Sequence, residues 1–261
     1  MIEQNCHAAC IVDLDGSGFS AIYSRIHQYL LKGYAVAYVA EDNTATAIQN
    51  IKNSGVDVDH FLPTGALQVI DRDLYYNPNK ELEPQKLLDQ FSKIVTQVDF
   101  QKFKGMLGIG SAGPAFFQKG KLEPLLEYEH KIGKRFKVPV EIICCYRSND
   151  IRQLEFSHLV SVITSHAYVI TSEGTEHKGL NSDAIISFIA AGINKSLCAN
   201  ISDIILKTLE IAYGIKKERI ISQPRIFKNA LEKALGITSS RIVLAEIENE
   251  IRCALLGDNK T

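Results

Sequence analysis

The sequence predicts an open, mostly parallel α/β sheet followed by an all-helical C-terminal region. Apolar strand-like runs alternate with helix-period segments six times up to about residue 170. The run VPVEIICCY (138–146) is apolar almost throughout, the pattern of a strand covered on both faces. After the polar stretch TSEGTEHKGLNSD (171–183), every segment has the i, i+3, i+4 apolar spacing of helices.

The elements follow in order. AACIV (8–12) is a strand; the helix after it sets Phe19, Ile22, Tyr23, Ile26 and Leu30 on one face and stops at Lys32-Gly33. AVAYVA (35–40) is the second strand, and NTATAIQNIKNSG is a short helix with Asn43 or Thr44 as N-cap and Gly55 as its end. ALQVID (66–71) is the third strand. RDLYYNPNKELEP reads as a loop into the helix QKLLDQFSKIVTQV. GMLGIG (105–110) is the fourth strand, and KLEPLLEYEHKIGK is a helix with Leu122, Leu125, Leu126 and Ile132 inward. The fifth strand, 138–146, leads into one helix, IRQLEFSHLVSVITSH, and a short sixth strand, AYVI (167–170). Residues 171–183 read as a linker, with a domain boundary near 179, so the expected domains are 1–178 and 179–261. The tail holds DAIISFIAAGINKSL, NISDIILKTLEIAYG, QPRIFKNALEKALG and SSRIVLAEIENEIRCALLG. Gly214, Gly236 and Gly257 are stops, and Pro224 sits in a first turn.

Composition excludes several classes. In 261 residues, 46% hydrophobic and 23% charged, the net charge of −1 gives no electrostatic case for non-specific nucleic-acid binding. No apolar run approaches the roughly 18 residues of a membrane span. The start, MIEQNCHAAC, lacks a basic region followed by an apolar run, so a cytoplasmic protein is expected. The six cysteines form no C-x-x-C pair, and free thiols are expected.

The turn DLDGSG (13–18) sits between strand and helix, where a phosphate loop would lie. It is followed by Phe19 and Ser20 and lacks the lysine of G-x-x-x-x-G-K-[ST], which argues against hydrolysis. As a calcium loop it offers Asp13, Asp15 and Ser17, but Ser24 stands where a bidentate glutamate is needed. Asp13 and Asp15 are left as groups that orient a polar ligand or the turn itself. The other strand exits, EDN (41–43), DRD (71–73), GSAGP (110–114) and YRSND (146–150), are polar. In an open parallel sheet these C-terminal edges border the ligand crevice, which makes Glu41, Asp42, Tyr146 and Arg147 pocket candidates. His7 and Cys10 point to opposite faces of a strand, and so do Cys144 and Cys145, so neither pair shares a metal. Glu127 and Glu129 lie on different faces of a helix. No catalytic constellation, cofactor motif or metal motif is found, so no cofactor is expected.

These residues carry a family resemblance. HAACIV, KGYAVAYVAEDN, SGVDVDHFLPTGALQVID, YYNPNKELEPQKLLDQF, LLEYEHKIG and EIICCYRSND, in this order from His7 to about His177, resemble the MEDS domain, the methanogen/methylotroph sensory domain. The resemblance implies a RecA/KaiC-like sheet without a phosphate loop, a small-molecule sensor coupled to regulators. It adds His7, Tyr76, Tyr128 and Glu129 to the ligand-binding candidates. The chain departs from the family at GIGSAGPAF, where Ile109 stands in an acidic place and no tryptophan follows. The segment AYGIKKERIISQPRIFKNALEKALGITSSRIVLAEIENEI resembles a small helical output domain described from ammonia-oxidising archaea. The leading expectation is a sensor that binds a small molecule at the strand C-terminal edge and relays it through the helices to a protein partner, with transcription as one output. The helices also offer a homodimer surface. Lys216, Lys217 and Arg219 lie beside acidic residues without a recognition-helix signature, so nucleic acid is not expected. A nucleotide hydrolase with an unusual loop and a ligand-free scaffold are the alternatives.

Overall fold

The structure is a computed structural model that describes residues 6–13, 19–41, 43–76, 82–133, 135–171, 174–178 and 182–256. The described chain forms two compact units. One holds the residues up to Asp150 together with Ser165–Glu176; the other holds Ile151–Thr164 and the residues from His177 onward.

The first unit is the sheet. Strand β1 (His7–Val12) leads to helix α1 (Phe19–Leu31), β2 (Ala35–Val39), α2 (Thr44–Asn53), α3 (Val58–Phe61), β3 (Leu67–Ile70), α4 (Arg72–Tyr76) and α5 (Pro84–Thr96). Then come β4 (Met106–Gly110), α6 (Ala112–Gln118), α7 (Leu122–Ile132), β5 (Val140–Arg147) and the turn of helix α8 (Ser148–Arg152). The chain leaves for α9 (Phe156–Thr164) of the other unit, then returns for β6 (Tyr168–Ile170) and for Glu176, the first residue of β7 (Glu176–Lys178). The strand order is β3-β2-β4-β5-β1-β6-β7, and every pairing from β3 across to β6 is parallel. The expected fold class, an open and mostly parallel α/β sheet with C-terminal helices, is the one observed.

Alternation along the strands divides the core in two. Ala8, Cys10, Val12, Ile143 and Cys145 pack with Ile22 and Ile26 of α1 and Ile51 of α2. His7, Cys144 and Tyr146 take the opposite direction, toward α7. Thus His7 and Cys10 do face opposite ways, as do Cys144 and Cys145. Helix α2 is capped by Asn43, whose side chain accepts from Thr46 N, and the chain leaves it through Gly55 at φ +92°.

Several sequence expectations need correction. Arg72–Tyr76 and Ala112–Gln118 are short helices, where the sequence reads as polar loops. The buried face of α7 is Leu125, Tyr128, Glu129 and Ile132, while Leu122 and Leu126 are half-buried. The residues 171–183 are not linker throughout, since Glu176–Lys178 adds an edge strand.

The second unit is helical. To α9 it adds α10 (Ser182–Ser196), α11 (Ser202–Tyr213), α12 (Lys217–Ser222), α13 (Pro224–Leu235) and α14 (Ile237–Leu256). The predicted single helix 151–166 is broken before Phe156. The Glu248 carboxylate of α14 accepts the Phe156 N–H at 2.7 Å, and Arg252 donates to the Leu154 carbonyl at 2.7 Å. A helix start capped from another helix is a tertiary feature, which sequence periodicity does not carry. Helices α10 and α14 cross closely at Gly192, where a Cβ would lie 2.6 Å from the Ile247 backbone nitrogen. Gly214 (φ +65°) and Gly236 (φ +79°) end α11 and α13 as expected, and Pro224 opens α13. Gly257 lies outside the described residues.

Candidate functional site

Two polar regions of the sheet unit carry chemistry. The first lies under the sheet, on the face covered by α7. Strand β1 supplies His7, β5 supplies Cys144 and Tyr146, α7 supplies Glu129, and the turn before β6 supplies His166. His7 Nε2 lies 3.1 Å from Glu129 Oε2 and 3.2 Å from Cys144 Sγ, and His166 Nε2 lies 3.3 Å from the same Glu129 oxygen. The four ligand-type atoms all fall within 4.8 Å of one another. Glu129 is 0% exposed.

Each group is held from behind. His7 Nδ1 is 3.1 Å from the Ser165 carbonyl, to which it donates, and that directs Nε2 into the cluster. The Tyr146 hydroxyl donates to Glu129 Oε1 at 2.5 Å and leaves Oε2 to the histidines. The His7 and His166 rings pack with centroids 4.2 Å apart. Gly133, just after α7, makes room for His7, because a Cβ there would be 2.9 Å from Nδ1.

Burial dominates the electrostatics. It raises the Glu129 carboxyl, but hydrogen bonds from His166 and His7 outweigh it and hold the group ionised, well below the usual carboxylate range. Burial, with the nearby His166, lowers the His7 imidazole. Burial and Glu129 push the Cys144 thiol and the Tyr146 hydroxyl up. Two imidazoles, a carboxylate and a thiol are the donor set of a divalent transition-metal site.

The second region is the strand C-terminal edge. Glu41, past β2, accepts from Arg147 at the end of β5 at 2.8 Å. A pocket of about 100 Å³ lies over the exits of β3 and β4, lined by Arg72, Asp73, Tyr76, Ala115, Gln118 and Lys119. Arg72 donates to Gln118 across it at 3.0 Å. Tyr76 also borders a narrower cavity of about 20 Å³, whose far wall includes Tyr128 and Cys144.

The predicted residues therefore divide between the two regions. His7, Glu129 and Tyr146 meet under the sheet, and Tyr128 lies buried beside them. Glu41, Arg147 and Tyr76 are at the C-terminal edge. Asp13 is half-buried at the exit of β1. Asp15, Asp42 and the glycines of the DLDGSG turn lie outside the described residues. Sequence reasoning missed Cys144 and His166 as members of the cluster. The available signal was that Cys144 shares strand parity with Tyr146, and His7 opens the neighbouring strand.

One groove of the helical unit, about 420 Å³, is lined by Asp203, Lys207, Glu210, Lys216, Lys217 and Glu218, among others. Its charges are mixed. Among the described residues, no helix is long and apolar enough to cross a membrane.

The family model of the MEDS domain, described as the methanogen/methylotroph, DcmR sensory domain, matches residues 6–167. No curated protein matches the chain. One similar solved structure is an uncharacterised protein, PH0321, from Pyrococcus horikoshii, in complex with an unknown peptide. It has 17% identity and a TM-score of 0.48 over 64% of this chain and 77% of that one. The flagellar accessory protein FlaH from Methanocaldococcus jannaschii has 18% identity and a TM-score of 0.46 over 65% and 71%. The ATP synthase subunit NeqB from Nanoarcheaum equitans has 12% identity and a TM-score of 0.39 over 95% and 74%.

Proposed function

The chain belongs to the MEDS sensory-domain family, and from that premise we propose a signal-transduction sensor whose small polar ligand binds at the strand C-terminal edge. The observation that carries this reading is the pocket over the exits of β3 and β4, where Arg72, Asp73, Tyr76 and Lys119 converge on about 100 Å³. That volume suits a molecule of a few heavy atoms. An open parallel sheet concentrates polar loops and helix starts at this edge, so it is the place where a ligand can be oriented. Family membership supports a sensory role. The signal passes to the helical unit, which acts as the output module for a protein partner. Ile204 and Ile211, 61% and 76% exposed on α11, support a partner for that unit. For signalling, the ligand must bind two arrangements with different affinity.

A thermal-shift panel of small polar metabolites tests the proposal. A ligand at about a hundred times its Kd adds about 2.7 kcal/mol to the folded state and raises Tm. The account expects such a shift in the native chain and its loss in Arg72→Ala. A full panel without any shift, or a shift that Arg72→Ala leaves intact, contradicts the assigned pocket.

A further inference from the structure

We propose that His7, Glu129, Cys144 and His166 form a tetradentate site for a divalent transition-metal ion of the zinc class. The proposal stands independently of the sensor reading. Four buried atoms of metal-ligand type converge within 4.8 Å of one another. With Nδ1 donated to the Ser165 carbonyl, His7 directs its Nε2 toward Glu129 Oε2 at 3.1 Å. The same carboxylate oxygen meets His166 Nε2 at 3.3 Å, and the Cys144 sulfur closes the group at 3.2 Å from His7 Nε2. Four atoms of metal-ligand type thus point at one volume in a site that excludes water.

A dication fits this spacing. Bond lengths of about 2.0–2.3 Å to nitrogen, oxygen and sulfur put tetrahedral ligands roughly 3.3–3.8 Å apart. The observed separations, 3.1 to 4.8 Å, span that range. The charges close as well. Carboxylate and thiolate contribute two negative charges, the imidazoles are neutral, and the ion brings two positive charges. Binding breaks the Cys144 S–H bond, and its proton leaves to solvent as the metal–sulfur bond forms; nothing is oxidised or reduced. The outer partners are those of a metal site: a carbonyl behind His7 and a tyrosine hydroxyl behind Glu129. With four protein ligands the site is closed, which makes the metal's role structural. It would tie β1, β5, α7 and the turn into β6 together.

The full chain is refolded with Zn(II) or Co(II), passed over a weak chelating resin and analysed for metal. About one ion per chain is expected, as for a closed four-ligand site. The cobalt form should show the intense near-ultraviolet absorption of a thiolate–cobalt bond. Cys144→Ser should lose that band, while Cys198→Ser, a change at the exposed cysteine, keeps it. Circular dichroism of both variants confirms that they fold. Should Cys144→Ser not fold, metal content and the cobalt band of the native chain decide alone. No retained metal with no band overturns the proposal, as does a band that survives in folded Cys144→Ser.

Discussion

At the residue scale, the buried charges set the terms. Glu141 sits 4% exposed between Val140 and Ile142 of strand β5. It accepts from the hydroxyls of Tyr29 and Tyr168, the latter at 2.5 Å, and its Oε1 is 3.6 Å from the Arg25 guanidinium. Burial holds both phenols above their ordinary range, so they remain donors. Glu141→Ala leaves two buried hydroxyls without their acceptor and should cost about 2–4 kcal/mol in urea unfolding. A cost under about 1 kcal/mol would show that solvent satisfies them. Gly133 makes a sharper test. Gly133→Ala should displace the His7 ring and weaken the cobalt absorption while leaving helix α7 formed; an unchanged spectrum contradicts the cluster geometry. Neither residue declares this in the sequence. Glu141 is a polar break in an apolar run, and Gly133 reads as a helix stop.

At the element scale, the strands were legible because the sheet is buried on both faces and the runs stand out from their flanks. Strands β1 to β6 fall within a residue or two of their expected bounds. The short helices α4, α6 and α12 were not legible. They are five to seven residues long, too short for a 3.6-residue period to register. Helix α9 was misjudged at its start, because its cap comes from Glu248 in α14. The contact of α10 with α14 rests on Gly192, an interior helix glycine with no local justification. Gly192→Ala gains about 1 kcal/mol in helix propensity. Its Cβ would nevertheless meet Ile247 at 2.6–2.7 Å, and overpacking of this kind costs about 1–3 kcal/mol. The account therefore expects Gly192→Ala to lower Tm; a raised Tm would mean that the crossing can widen without loss.

At the scale of the whole molecule, strand order and the site are the parts the sequence does not express. Strand β1 lies between β5 and β6, a neighbourhood that local patterning cannot specify. The cluster draws on positions 7, 129, 144 and 166, each unremarkable in its own segment. The family motifs pointed at His7 and Glu129 without saying what they meet. Grouping of α9 with the C-terminal helices means that the chain passes between the two units at 150/151, 164/165 and 176/177. Under the proposed sensor reading, those crossings are the covalent link between the two units.

The central claim is that the C-terminal edge holds a small molecule, and native mass spectrometry of the full chain purified from its own cells tests it most directly. The account predicts an adduct that is released on denaturation and is missing from Arg72→Ala; a bound metal has its own mass and persists in that variant. A chain that carries no organic adduct, or one that Arg72→Ala retains in full, would contradict it.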